Sequence, residues 1–509
     1  MTGKSMIIIG AGIAGLSTGV YAQMNGYNAH ILELHSIPGG LCTAWKRSGY
    51  LFDGCIHDLA GAGPTSSLHH LWEELCPDVI PTMVYHEATV QVESRDGRKF
   101  VVYTDVDRLE AHMKELSPVD PPVIEEYCNG IRFFAKHELY ELQETAPEKM
   151  LRWLPRLPQL MRWRMTMEQF AQRFQDPFLR EAFPTIQYNF AGCPMLVHLA
   201  FMGCQQRKTM GWPKGGSLVF AQSIARRFVA LGGQITYRAR VTKILVENGA
   251  AVGVRLEDGR ELRADIIVSA ADGYSTHHKM LDGQYMNDFL RSYYAGAPDG
   301  NAMNLLVSLG VRNPMSGLPR ALHFPLTEPV EIAGMTLHDM VVEIFNFDPS
   351  IVPAGGAVLK IALTSSYSYW KALSENREQY EAEKEHLAQT IIDLLEKRFP
   401  GIHEQIEAVD VATPVTIERY TANYRGLQVW FPNKGMGRML LKGISPTLPG
   451  LKNFYMVGQW SDGMLGINSV AVGAWKLVRK LCKQDGKQFT TIRGRAAYEA
   501  AGALLRNTH

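Results

Sequence analysis

The chain has 509 residues, is 46% hydrophobic, and balances 52 Lys and Arg against 51 Asp and Glu for a formal net charge of +1. These are values of an ordinary globular protein of roughly two to four domains, and a near-neutral balance gives no electrostatic footprint for nucleic acid. No apolar run reaches the ~20 residues that a membrane-spanning helix needs, and seven cysteines, odd in number and without a C-x-x-C pair, fit a reducing, cytoplasmic compartment rather than a disulfide framework or a metal site.

The first element is the apolar run "MIII", which enters the pattern G-x-G-x-x-G at Gly10, Gly12 and Gly15. Gly10 permits a tight exit from a strand, Gly12 leaves room for a pyrophosphate to approach the backbone, and Gly15 lets a helix pack close. A helix follows over about 13–25, with Ile13 and Ala14 in its first turn. Its N-terminus offers unpaired N–H groups and a partial positive charge to phosphate. A second strand, "NAHILEL", carries Glu33 and Leu34. An acid at that place accepts hydrogen bonds from a ribose diol and repels a 2′-phosphate, which favours NAD or FAD over NADP. Lys4 ahead of an apolar run also suits a secretory signal, but glycines interrupt the run early and no cleavage site follows.

Pro38-Gly39-Gly40 signals a turn, and "GYLFDGCIHDLAG" reads as a strand ending in a glycine-rich loop. The chain thus departs from a plain NAD domain. His69-His70 reads as a surface or helix-end doublet. From 107 to 210 the pattern is mostly helical with proline breaks. It contains "KMLRWLPRLPQLMRWR" at 149–164, with Lys149, Arg152, Arg156, Arg162 and Arg164, no acid, and interleaved Trp153, Trp163, leucines and methionines. That is the composition of a segment lying in a membrane interface, or of a helical cap with buried tryptophans. A helix is expected over 217–231, then strands over 234–238, 241–247, 250–257 and 265–269, with hairpin turns at Asn248-Gly249 and Asp258-Gly259. Asp272 reads as a cap for the segment that follows. The stretch 291–430 is mixed and includes the charged helix "EQYEAEKEHLAQTIIDLLEKRFPG"; the chain ends on a second strand, glycine turn and helix. Strand-and-glycine signals at both ends imply one nucleotide unit built from 1–105, 211–290 and 431–509, interrupted by a substrate or lipid-binding unit of 106–210 and 291–430.

The order of these signals resembles the phytoene desaturase and carotenoid isomerase branch of the FAD-dependent oxidoreductases. The pieces that carry it are "GAGIAGL", Glu33, "PGG", "GYLFDGCIHDLAG", "WPKGGSLVFAQSIARRFVALGGQI", "AVGVRLEDGRELRADIIVSAAD", "TPVTIERYTANYRG" and "GLKNFYMVGQWSDG". The resemblance implies an α/β fold: an FAD-binding Rossmann-like domain of glutathione reductase/amine oxidase type, interrupted by a mixed α+β, helix-rich substrate domain. It implies FAD as cofactor, with Gly10, Gly12 and Gly15 at the pyrophosphate and Glu33 at the adenosine ribose. Gly40 and Leu41 would lie along the ribityl chain, His57 would approach the flavin, and Val241 would offer its backbone to adenine. Gly458 and the residues from Gln459 through Asp462 and Met464 to Ile467 would close over the cofactor. The implied chemistry is desaturation, saturation or isomerisation of an apolar polyene, isoprenoid or lipid. Where carotenoid desaturases carry His-Pro-Gly, this chain has Asp462-Gly463-Met464, an acid suited to act as a base, to orient a hydroxyl or to cap the helix. Asp462 and His57 are thus the catalytic candidates. Two other readings of the fold are an amine oxidase, needing an aromatic pair that Tyr424, Trp430 or Trp460 would supply, and a prenyl-group carrier of GDP-dissociation-inhibitor type. Substrate identity, reaction direction, oligomeric state and the electron acceptor, whether oxygen, quinone or NAD, stay open at this level.

Overall fold

The computed structural model describes residues 3–138, 146–187, 192–300, 303–427, 444–461 and 466–492. The apolar run forms the strand Ser5–Ile9 at the centre of a five-stranded parallel sheet. Across that sheet the order is Gln234–Thr236, Asn28–Leu32, Ser5–Ile9, Ile266–Ser269 and Phe454–Met456. Strands from both ends of the chain therefore meet in one layer. The four central hydrophobics Met6, Ile7, Ile8 and Ile9 are all buried, as expected of a parallel strand covered on both faces. The helices Ile13–Met24, Gly216–Ala230 and Ile467–Gln484 cover one face, sharing a core with Leu16, Val20, Ile224, Phe228, Ala474 and Val478. The antiparallel meander Val241–Glu247, Ala250–Leu256, Glu261–Arg263 covers part of the other. Asn248 and Gly249 both take positive φ, the signature of a two-residue type I′ turn; at the next hairpin only Gly259 does, and the loop is one residue longer.

A second sheet has seven strands in the order Ile406–Ala412, Leu305–Val311, Ala357–Leu363, Met335–Phe345, Ala321–Ile332, Ala88–Glu93 and Lys99–Tyr103. Here the expectation that residues 1–105 belong to the nucleotide unit is corrected: the strands at 88–93 and 99–103 pair with the second sheet, through Leu322↔Gln91 and His323↔Val92. They alternate buried and half-exposed residues, and Val90, Val92, Phe100 and Val102 face the helical layer of 106–206, not the five-stranded sheet. The helix Arg377–Arg398 packs Leu387, Ile391 and Leu395 against the other end of the same sheet.

Candidate functional site

The glycine turn is shaped by contacts that a side chain would destroy. Gly10 has φ +99 and its N–H donates to Leu32 O at 2.8 Å. A Cβ on Gly15 would lie 2.0 Å from the Gly10 carbonyl oxygen, so the helix can approach the turn only with glycine there. Gly12 differs. A Cβ on it would meet nothing nearer than Gly39 O at 3.9 Å, so it faces open space. Gly39 N–H donates to Ala11 O at 2.9 Å and Gly40 sits at φ +62, its own Cβ direction pointing at Gly12 Cα. Gly458, at φ +112, closes the same side against Ala14. The helices beginning at Ile13 and Ile467 have glycine N-caps, Gly12 and Gly466, and neither is capped by a side chain. The N-terminus of the Ile13 helix, with backbone N–H groups to give beside an open glycine cradle, suits a pyrophosphate.

Glu33 ends the second strand and is buried, with Oε2 accepting the Ala11 N–H at 2.6 Å and Oε1 the His35 N–H at 2.8 Å. Burial pushes its carboxyl above the ordinary range, and these two amides offset part of the rise. Beyond it lies a pocket of about 180 Å³ bounded by Gly10, Leu34, Val241, Asp272, Ser275 and Thr421. Asp272 does cap the following helical turn, through Oδ2 to the Ser275 N–H at 2.7 Å, but its buried Oδ1 has no partner in hydrogen-bond geometry. Burial pushes this carboxyl up to about 6, the amides of Ser275 and Tyr424 working against the shift. A buried acid with one oxygen unmatched, the Glu33 carboxylate and the edge strand starting at Val241 fit the adenosine half of a dinucleotide.

On the other side of Glu33 a cavity of about 340 Å³ runs past Gly40 and Leu41 to Trp45, Cys55, Met303, Leu306 and Val411. Behind Gly54 and Cys55, which line it, lies Asp53. This buried carboxylate accepts the N–H and the hydroxyl of Ser217 at 2.6 and 2.7 Å and the Cys55 N–H at 2.9 Å. A Cβ on Gly216, which has φ +71, would lie 2.4 Å from Asp53 Oδ2. The "FDG" and "GGS" motifs thus interlock, at the N-terminus of the Gly216–Ala230 helix, where negative charge is favoured.

His57 follows in the same loop. Its Nδ1 is 3.0 Å from Glu343 Oε2, which is 3.2 Å from Lys360 Nζ, while Arg320 holds both Asp58 oxygens at 2.9 Å and also the His57 carbonyl. This buried network ties the loop to the second sheet. Burial alone favours a neutral Glu343, but the charges on His57 and Lys360 outweigh it and hold the carboxyl well below its ordinary range. Reading the sequence did not single out Glu343, Lys360, Arg320 or Ser217; Glu343, Arg320 and Ser217 lie more than a hundred residues from their partners in the loop, and only the sheet register, with Glu343 opposite Lys360, reveals the cluster.

Gly10, Leu34 and Val241 line the smaller pocket and Glu33, Gly40 and Leu41 the larger cavity, while Gly12 lies against Gly40 and Ala14 against Gly458, with Gln459 next in the chain; Ile13, Gly15 and Ile467 line neither. Asp462, Met464 and Trp430 lie outside the described residues. Tyr424 stacks face to face on Tyr274 at 3.7 Å and Trp460 is buried against Tyr294, so both are taken up by packing.

Comparison with known proteins bears on the same residues. The family model described as "Flavin containing amine oxidoreductase" matches residues 13–462. The chain belongs to this family. It is similar to the chloroplastic prolycopene isomerase of Daucus carota, 28% identical over 495 residues that cover 91% of this chain and 78% of that protein. It is 23% identical to the lycopene-forming phytoene desaturase of Pseudescherichia vulneris over 445 residues, 81% of this chain and 85% of that one. An oxidoreductase from Methanosarcina mazei shares the fold at TM-score 0.60 and 17% identity, over 93% of this chain and 100% of that one. The chain is an FAD-dependent oxidoreductase, and the cradle, Glu33 and the adenosine pocket fit FAD. When bound there, the cofactor supplies hydride and electron exchange at its ring, and the protein supplies orientation and electrostatics.

Proposed function

We propose that this oxidoreductase acts on carbon–carbon double bonds of a long apolar polyene or isoprenoid, by desaturation, saturation or isomerisation. The observation that carries the reading is the far wall of the larger cavity. Leu41, Ala44, Met303, Leu306, Val411 and Ile417 line it beside the charged groups Lys384, Arg419 and Asp410, of which Asp410 is occupied by Trp45 Nε1 and Arg47, each at 2.9 Å. The apolar side chains of this wall offer a hydrocarbon chain burial worth about 25 cal/mol per Å². The names of the two curated relatives support a polyene. The test is incubation of the flavin-loaded protein with polyenes in vesicles, followed by chromatography and mass measurement. A changed retention at constant mass indicates isomerisation; loss or gain of two hydrogens indicates desaturation or saturation. Oxidation of an amine with no change in any polyene would overturn the proposal.

The finer part of the proposal is the route of the substrate, from a membrane surface to a cytoplasmic, peripherally bound enzyme whose seven thiols are free. Met150, Leu151, Leu154, Leu157 and Met161 are 67, 74, 61, 48 and 50% exposed, a concentration of apolar side chains within one broken helix. Arg152, Arg156, Arg162 and Arg164 flank them, and Arg162 is paired with Glu126 at 2.9 Å. Trp153 and Trp163 do not join this face: both are buried in the helical layer, so leucine and methionine, not tryptophan, would meet lipid. No helix among the described residues is long and apolar enough to cross a membrane. Shallow insertion beside anionic headgroups is the mode that composition supports.

A further inference from the structure

Two cysteines lie at the base of one hairpin beside the larger cavity, Cys55 lining it and Cys42 behind. The hairpin pairs Ala44↔Asp53, Trp45↔Phe52, Lys46↔Leu51 and Arg47↔Tyr50. Ser48 and Gly49, at φ +47 and +91, close it as a two-residue turn. The Gly54 N–H donates to Thr43 O at 3.0 Å, which extends the same register by one pair. The ladder ends there, with bends at Cys42 and at Gly54–Cys55 and the Thr43 N–H turning back to Leu41 O at 3.0 Å; one further step of the same register sets Cys42 opposite Cys55. In a hairpin with a two-residue turn the pair flanking the turn is hydrogen-bonded and pairs then alternate, so 42 and 55 fall at a position without ladder bonds, where facing side chains come closest. That is the geometry a cross-strand disulfide needs, since its Cβ atoms must approach to roughly 4 Å.

The two thiols differ in a useful way. Cys55 is partly exposed and lines the cavity, whereas Cys42 is buried behind it, its Sγ 3.7 Å from Ser217 O. Burial, and next the adjacent Cys55 thiol, hold the Cys42 thiol well above its ordinary range. A thiol so placed is a poor first nucleophile but a well-placed second one. Of the other five cysteines, Cys76, Cys128, Cys193 and Cys482 are buried.

We propose that Cys42 and Cys55 are a redox-active dithiol, oxidised by a small peroxide to an intramolecular disulfide and restored by a thiol reductant. In the first step the Cys55 sulfur attacks one peroxide oxygen, the O–O bond breaks, and a sulfenic acid and water result. In the second the Cys42 sulfur attacks the Cys55 sulfur, the S–O bond breaks, and a second water leaves. Two thiols lose two electrons and two protons in all, and hydrogen peroxide is reduced to two waters. Closure would tie Leu41 and Gly54 together at the wall of the larger cavity, beside the Asp53–Ser217 interlock.

The test exposes the purified holoprotein to a modest excess of hydrogen peroxide, blocks residual thiols by alkylation, and digests with trypsin without reductant. Trypsin cuts after Lys46 and Arg47, between the two cysteines, so a disulfide links two otherwise separate peptides. Because Cys76 shares a tryptic peptide with Cys55, the digest is repeated on Cys76→Ser. The expected result is a linked pair of peptides in wild type and Cys76→Ser, a titre lower by two thiols, full reversal by dithiothreitol, and no link in Cys55→Ser. Oxidation of Cys55 to sulfinic acid without a link, or a link that disappears in Cys76→Ser, overturns the proposal, and both readouts need only wild type and the Cys76 variant. Neither thiol step requires flavin, so failure here leaves the polyene reading untouched, and inactivity on polyenes leaves the dithiol untouched.

Discussion

Gly12 and Gly15 stand three residues apart in one motif, and their surroundings separate folding from binding. Alanine at Gly15 would place a methyl 2.0 Å from a backbone oxygen, an overlap that only movement of the helix can relieve, at a cost of roughly 1–3 kcal/mol or more. Alanine at Gly12 meets nothing within 3.9 Å, and its φ of −68 suits any residue. Thermal unfolding of the flavin-stripped proteins should show Gly15→Ala melting several degrees below wild type and Gly12→Ala melting with it. Equal losses in both variants would show that the turn is not shaped as described. Asp272 gives a second residue-scale prediction. Its carboxyl is raised, to about 6, so its contribution to the stability of the flavin-free fold is present below the unfolded value near 4 and is lost as pH rises through 6. Asn at 272 removes the buried charge. It should stabilise the flavin-free protein by roughly 1–3 kcal/mol at pH 7.5, with the gain shrinking by pH 4.5, while loosening FAD through loss of a charged acceptor. Denaturant midpoints at the two pH values check it; an Asn variant destabilised at both would refute the assignment.

At the scale of elements, the first strand, glycine turn and helix were legible because each signal is local: four apolar residues, three glycines at fixed spacing, then an acid on the next strand. The meander was legible for the same reason, since Asn248-Gly249 dictates its own turn type. The seven-stranded sheet was not. One of its pairings spans more than two hundred residues, Gln91 with Leu322, and strands buried on both faces, such as Leu305–Val311, lose the alternation that marks a strand. The segment 149–164 was half legible. Its composition separated basic and apolar residues from acids, but composition does not say which apolar side chains turn outward, and the tryptophans turned in. If the exposed leucines insert in lipid, replacing Leu151 and Leu154 with Gln should abolish flotation with anionic vesicles. It should leave the melting temperature unchanged, because neither side chain is buried. Failure of the wild type to float would remove the membrane route.

At the scale of the whole molecule, the parallel sheet and the seven-stranded sheet are joined across the site by buried charge. Glu343 receives His57 from one unit and Lys360 from its own, and Arg320 grips Asp58. Removing one member of such a cluster leaves the others buried and unpaired, which costs about 3–5 kcal/mol. Glu343→Gln should therefore lower the urea midpoint markedly, although it changes one atom. Because the Glu343 carboxyl is held below its ordinary range, its stabilisation is fully present above roughly pH 5 and drains away as pH falls through and below the usual carboxylate values. The difference between wild type and Glu343→Gln should shrink in acid, and a difference that stays constant from pH 7 to pH 3.5 would refute the charged cluster. None of this was legible in the sequence, where His57 and Glu343 carry no shared pattern.

The measurement that tests the account most directly is the flavin content of wild type and Gly12→Ala, read from the absorption of the supernatant after acid precipitation. The account predicts a stoichiometric complement of released FAD from wild type and almost none from Gly12→Ala, although the variant folds and melts like the flavin-free wild type. A folded Gly12→Ala protein carrying as much FAD as wild type would mean that the open face of that glycine is not where the pyrophosphate lies.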